Sequence, residues 1–118
     1  MIKLFLLLLP AIAIPKTGKR VPCDETEAQA IRVPIGRVTT LNFPTPPKEA
    51  IPGEGGFDIK RIQQDLVVKV VRSGANTNLV VYLENRRCFF RLTASVGGDE
   101  SVFVRDREEK TIEVKFVD

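Results

Sequence analysis

The chain has 118 residues, a formal net charge of +3 and no histidine, a length that suits one domain. The missing histidine excludes Ser-His-Asp and Cys-His catalytic arrangements, and two cysteines alone cannot make a usual zinc site. Some 43% of the residues are hydrophobic, enough to build a core without a metal.

The first residues read MIKLFLLLLPAIAIPK. Lys3 gives a positive start, an apolar run follows through Leu9, and Ala11-Ile12-Ala13 supplies the small-x-small pattern of a signal-peptidase site. The apolar run is shorter than the roughly 20 residues of a membrane span. Residues 1–13 are therefore expected to be a cleaved signal peptide, which makes the mature chain an exported one. Arg20-Val21-Pro22 before Cys23 is not a lipobox, so no lipid anchor is expected. Cleavage after Ala13 removes a single charged residue, Lys3, and leaves the charge nearly balanced.

Residues 14–29 are polar, contain Gly18, Pro22 and Asp24, and read as a flexible entry segment. The domain proper is expected over 30–118. Ile31, Val33 and Ile35 alternate with Arg32 and Pro34 as a strand, and Pro34 demotes it to an edge or a bend. Gly36-Arg37 makes a turn or bulge, and the β-branched run from Val38 to Phe43 resumes the strand pattern. Residues 44–56 hold four prolines and three glycines and read as a loop, from which Ala50 and Ile51 dip toward the core. Phe57, Ile59 and Arg61 begin another extended segment, with a short helical turn over 59–64 as the competing reading.

LVVKVV, from Leu66 to Val71, is apolar on both faces except at Lys69, which marks a central strand. After a turn around Gly74 and Asn76, the strand from Leu79 to Leu83 leads into Glu84-Asn85-Arg86, where Asn85 suits a positive φ, and the chain returns over 87–94. Leu79, Val81, Leu83, Cys88, Phe90, Leu92 and Ala94 share the purer apolar face and are assigned to the core. Residues 96–101 form a loop, Val102 and Val104 a short strand, and 106–109 a charged turn. Residues 111–117 alternate Ile112, Val114 and Phe116 against Glu113 and Lys115, the pattern of a half-buried strand. About seven or eight short strands separated by turns predict an all-β fold, an antiparallel β-sandwich.

Two cysteines in an exported chain invite a disulfide between Cys23 and Cys88. The alternative is a free, buried Cys88, which shares strand parity with Phe90 and Leu92, and a loose Cys23. The acidic pairs Asp99-Glu100 and Glu108-Glu109 are the only candidates for acid–base work, and adjacent carboxylates in turns are ordinarily solvation. Gly53-Glu54-Gly55-Gly56 lacks the Gly-Lys-Ser/Thr and the helix of a phosphate loop. No catalytic residue, metal or cofactor is expected. Tyr82, Phe89 and Phe90 beside Arg86, Arg87 and Arg91 could stack single-stranded nucleic acid. Phe90 has core parity and the ribonucleoprotein signature is missing, so a protein partner is the better expectation. Arginine and aromatics favour such interfaces, and the candidate contacts are Tyr82, Arg86, Arg87, Phe89 and Arg91.

The run GANTNLVVYLENRRCFFRLTA resembles the N-terminal domain of type IV secretion outer-membrane-complex subunits, the TrbG/CagX family, and is similar in layout to TraK-like conjugative pilus assembly proteins. That family carries a Thr-Asn-Leu strand, a turn with arginine and an aromatic return strand. IRVPIGRVTTLNFP looks like its first hairpin and DLVVKVVRSGANTNL like the strand leading into the signature, so the likeness covers roughly 30–106. It implies a β-sandwich, a periplasmic address, other envelope-complex subunits as partners, and a place in a ring beside the outer membrane. Family members continue into a second β-domain, so the chain is expected to match only the first domain and to act as a noncatalytic scaffold or accessory subunit. Two alternatives stand beside it: a stand-alone periplasmic ligand-binding or inhibitor domain, and a secretin or pilus accessory protein.

Overall fold

The computed structural model describes residues 18–107. The expected signal peptide and the strand expected over 111–117 lie outside these residues. Nine strands run in chain order: β1 (Lys19–Pro22), β2 (Gln29–Pro34), β3 (Val38–Asn42), β4 (Glu49–Pro52), β5 (Phe57–Ile62), β6 (Asp65–Val70), β7 (Asn76–Tyr82), β8 (Arg87–Ser95) and β9 (Ser101–Arg105). They form two sheets, one of five strands ordered β1-β9-β3-β6-β5 and one of four ordered β2-β8-β7-β4. The fold is thus the all-β sandwich that the alternation predicts.

The strand directions are mixed, not antiparallel throughout as expected, and the strands number nine among the described residues rather than seven or eight. The pairs β1–β9, β2–β8 and β3–β9 are parallel, while β3–β6, β5–β6, β4–β7 and β7–β8 are antiparallel. A strand's alternation gives its faces and not its partner's direction, which is why the sequence points only to the hairpins.

The core forms where the inner faces of the two sheets meet. Ile31, Val33, Leu41, Phe43, Leu66, Val68, Leu79, Val81, Phe90, Leu92, Val102 and Val104 are all buried. Phe43 and Phe90 meet edge to face across the sandwich, with centroids 6.0 Å apart and planes at 83°, the arrangement that the ring quadrupole favours. Each such side chain contributes about 1.5–3 kcal/mol of transfer free energy, so these alternating positions dominate stability. The assignment of the 79–83 and 88–92 face to the core holds, and Ala94 sits half-buried at its rim.

Several local expectations need correction. The segment read as a loose entry contains β1, whose Val21 is buried and whose backbone pairs with β9. Cys23, just beyond β1, is joined to Cys88 of β8 with Cα atoms 4.7 Å apart, so the bridge links the two sheets. The proline-rich loop contains β4, which pairs with β7 through Glu49, Ala50, Ile51 and Pro52; Ala50 is half-buried, but Ile51 is 50% exposed. Residues 59–62 are strand, and the tight turn after them places Gln63 at φ 55°. Asn85 does not take the positive φ its type allows, because among the described residues Gln63 is the one non-glycine that does.

Candidate functional site

The outer face of the four-stranded sheet gathers most of the side chains singled out in the sequence. The register places Tyr82 opposite Arg87, Val80 opposite Phe89 and Asn78 opposite Arg91. On the flanking strands Glu49 stands beside Tyr82, Ile51 beside Val80, Ala30 beside Arg91 and Arg32 beside Thr93. Strand parity turns all of these away from the core. The result is an apolar stripe, Ile51–Val80–Phe89, that crosses three strands and is widened by Tyr82, itself 39% exposed.

Arginines flank that stripe. The Arg87 guanidinium lies 5.3 Å from the centre of the Phe89 ring, a cation–π distance. Arg91 donates to Asn76 Oδ1 at 3.4 Å. Arg32, Arg87 and Arg91 have no carboxylate partner among the described residues, although five other cations there do. Arginine beside aromatic surface is a pairing of residue types enriched at protein interfaces.

Arg86 does not join this group. Its guanidinium grips both oxygens of Asp106, at 2.8 and 3.0 Å, and donates to Asn85 Oδ1 at 2.9 Å. Its side chain is only 21% exposed. It ties the β7–β8 turn to the chain leaving β9 and is a structural latch. Tyr82, Arg87, Phe89 and Arg91 are brought together. Sequence reasoning missed two members of the face, Ile51 and Arg32. Arg32 alternates with the buried Ile31 and Val33, so its outward position was there to be read; Ile51 was hidden among prolines.

The outer face of the five-stranded sheet is different. Arg105 donates to Asn42 O at 3.1 Å and Asn42 Oδ1 at 2.7 Å, and Asn42 Nδ2 donates to Asp65 Oδ1 at 2.7 Å. These three polar side chains are spent on one another, while Asp58 and Lys60 of β5 have no ion pair among the described residues.

The Thr77-Asn78-Leu79 run has a local structural role. Thr77, 5% exposed, accepts the Glu54 N–H through Oγ1 at 2.9 Å, and Gly53 N–H donates to Asn78 O at 2.9 Å. A Cβ at Gly53 would collide with the Asn78 and Thr77 side chains. Thr77 and Asn78 therefore anchor the corner after β4, and with it the register that sets Ile51 beside Val80.

At the opposite end Asp24 caps a turn, accepting the Glu27 N–H at 2.8 Å and the Thr26 N–H at 2.9 Å. These backbone donors, helped by the Thr26 hydroxyl and by Arg107 at 3.0 Å, lower its pKa to about 2. The cap is structural. Among the described residues no group of His, Cys, Asp and Glu is arranged to hold a metal ion, and no helix is long and apolar enough to cross a membrane. No protein-family model matches the chain, and no curated protein matches it at a significant level.

Proposed function

We propose that the protein is a noncatalytic periplasmic assembly subunit of a type IV secretion or conjugation apparatus, and that it docks on neighbouring envelope subunits through the outer face of the β2-β8-β7-β4 sheet. The observation that carries this reading is the stripe Ile51–Val80–Phe89 with Tyr82, flanked by Arg32, Arg87 and Arg91, none of which has a carboxylate partner among the described residues. Three further points support it. The leader pattern fits export, the Cys23–Cys88 bridge suits an oxidising compartment, and the likeness of 30–106 to the TrbG/CagX family supplies the apparatus.

The test is co-purification of the apparatus subunits from cells that produce the tagged protein. Arg87→Glu with Arg91→Glu is expected to lose them while leaving the thermal midpoint in place. Undiminished recovery of the same subunits would remove the sheet face from the reading. The stand-alone ligand-binding alternative has one observation in its favour, an open cleft of about 460 Å³ between β4 and β5. It calls for a monomer whose melting temperature rises with a small apolar ligand.

A further inference from the structure

A sandwich of two open sheets has four edges, and each is a row of backbone groups able to pair with another strand. Three of them carry a proline in the outward register. On β1 the Cys23 N–H bonds Arg105 O, so parity turns Arg20 and Pro22 outward. On β2 the Ile35 N–H bonds Ser95 O, which turns Ala30, Arg32 and Pro34 outward, and Asp99 already covers Arg32: it accepts that residue's N–H through Oδ2 at 3.0 Å and donates its own N–H to Arg32 O at 2.7 Å. On β4 the Gly53 N–H bonds Asn78 O, leaving Ala50 and Pro52 outward. Prolines there remove the donors an added strand would need.

The fourth edge is unpaired among the described residues. The Val71 N–H bonds Gly56 O, so Asp58, Lys60 and Ile62 pair with β6 while Phe57, Ile59 and Arg61 direct their N–H and C=O groups outward, with no proline among them. The same three residues line the cleft of about 460 Å³ between β5 and β4, together with Leu66, Ala50 and Pro52. One end of the cleft is closed by Arg61, which donates to Pro47 O and Lys48 O at 2.8 and 3.1 Å. An intact ladder beside a trough that joins Phe57, Ile59 and Leu66 to the polar groups of Lys48, Glu49 and Arg61 is the geometry for strand addition.

We infer that the occupant is the segment 111–117 of a second copy of this chain, running antiparallel to β5. TIEVKFV fits that edge in one register. Phe116, Val114 and Ile112 fall opposite the outward-bonding Phe57, Ile59 and Arg61 and extend the core over the cleft. On the other face Lys115 falls opposite Asp58 and Glu113 opposite Lys60, so both directly opposed charge pairs are complementary.

The donor is a second copy because the first cannot reach. Arg105 ends β9, second in the five-strand order, and the position beyond β5 lies four spacings away, roughly 19 Å. Asp106 is held by Arg86 and Arg107 by Asp24, so the chain leaves on the β1 side. The four residue steps from Arg107 to Thr111 then span at most about 14 Å. Each copy gives a strand at one place and receives one at another, a head-to-tail contact that builds a ring or a filament. The inference deepens the assembly-subunit reading without using its sheet face.

The test is sedimentation of the purified protein, C-terminal residues intact, over a micromolar concentration series. Wild-type protein is expected to self-associate. Asp58→Lys is expected to weaken that association roughly tenfold, and Asp58→Lys combined with Lys115→Asp to restore it. Ile59→Pro, at a position whose N–H is not used by β6, is expected to abolish it with the circular dichroism unchanged. A protein that stays monomeric, association indifferent to Ile59→Pro, or failure of the double charge swap to restore it would each overturn the inference. Arg87→Glu with Arg91→Glu should leave self-association intact, so loss of the docking face and loss of the strand contact are told apart.

Discussion

Asp99 and Arg32 bond to each other twice, as two strand residues would, although one of the bonds comes from a side chain. The Asp99 N–H donates to Arg32 O at 2.7 Å, and the Arg32 N–H donates to the Asp99 carboxylate at 3.0 Å. That carboxylate also takes Lys19 Nζ of β1 at 3.3 Å, and the Asp99 carbonyl accepts the hydroxyl of the buried Thr39 in β3. One residue in a loop thus reaches three strands and both sheets. Asp99→Ala is expected to cost about 1.5–3 kcal/mol, the range for hydrogen bonds to charged groups, read as a fall in the urea midpoint.

The Cys23–Cys88 bridge closes a separation of 65 residues. In the chain-entropy treatment such a loop contributes about 4 kcal/mol by restricting the unfolded chain. Cys23→Ser with Cys88→Ala should lower the denaturation free energy by that order, and adding a reductant to the wild-type protein should bring its curve toward the variant's.

Arg86 and Arg87 are neighbours with opposite assignments. Arg86→Ala removes a paired guanidinium from Asp106 and should cost up to about 1 kcal/mol, the upper range for partly exposed ion pairs. Arg87→Ala should leave the thermal midpoint within error and weaken only partner capture. Paired melting curves and co-purification on the two variants check the split.

Thr77→Val keeps the shape of a buried side chain and removes the acceptor for the Glu54 N–H. Glu54 is exposed and its N–H can turn to water, so the loss should cost about 0.5–1.5 kcal/mol. Amide exchange at Glu54 should accelerate along with the loss of stability.

Asp24 gives the protein an acid limb. Its pKa is about 2 in the folded chain against an ordinary 3.8, so the folded state favours the carboxylate. The stabilisation is complete above about pH 4 and is lost as pH falls through about 2, since the unfolded chain binds the proton first. Asp24→Asn should flatten that part of the stability–pH curve, measured by urea denaturation at a series of acid pH values.

What the residues reveal in advance is uneven for physical reasons. β7 and β8 were legible because Leu79, Val81, Cys88, Phe90 and Leu92 share one face, with Tyr82, Phe89 and Arg91 among the residues on the other, and Pro34 correctly marked β2 as an edge. β4 was hidden because Pro47 and Pro52 punctuate it, and a proline is tolerated in a strand only where its missing donor faces outward. β1 was hidden because it is four residues long and held by a distant strand and a disulfide. The candidate face was half visible: Tyr82, Arg87, Phe89 and Arg91 follow from hairpin parity. The tie of Arg86 to Asp106 was not legible because it spans 20 residues, a separation that local pattern does not register.

The sulfur link between β1 and β8 also governs how the molecule would respond to cleavage. Glu25, Thr26, Glu27 and Ala28 form an exposed connection between Cys23 and β2, the kind of site proteases choose. A cut there would leave the N-terminal piece attached covalently, so the nicked molecule would migrate as one band on a denaturing gel until thiol was added. A single backbone cut there would therefore not shed the first strand.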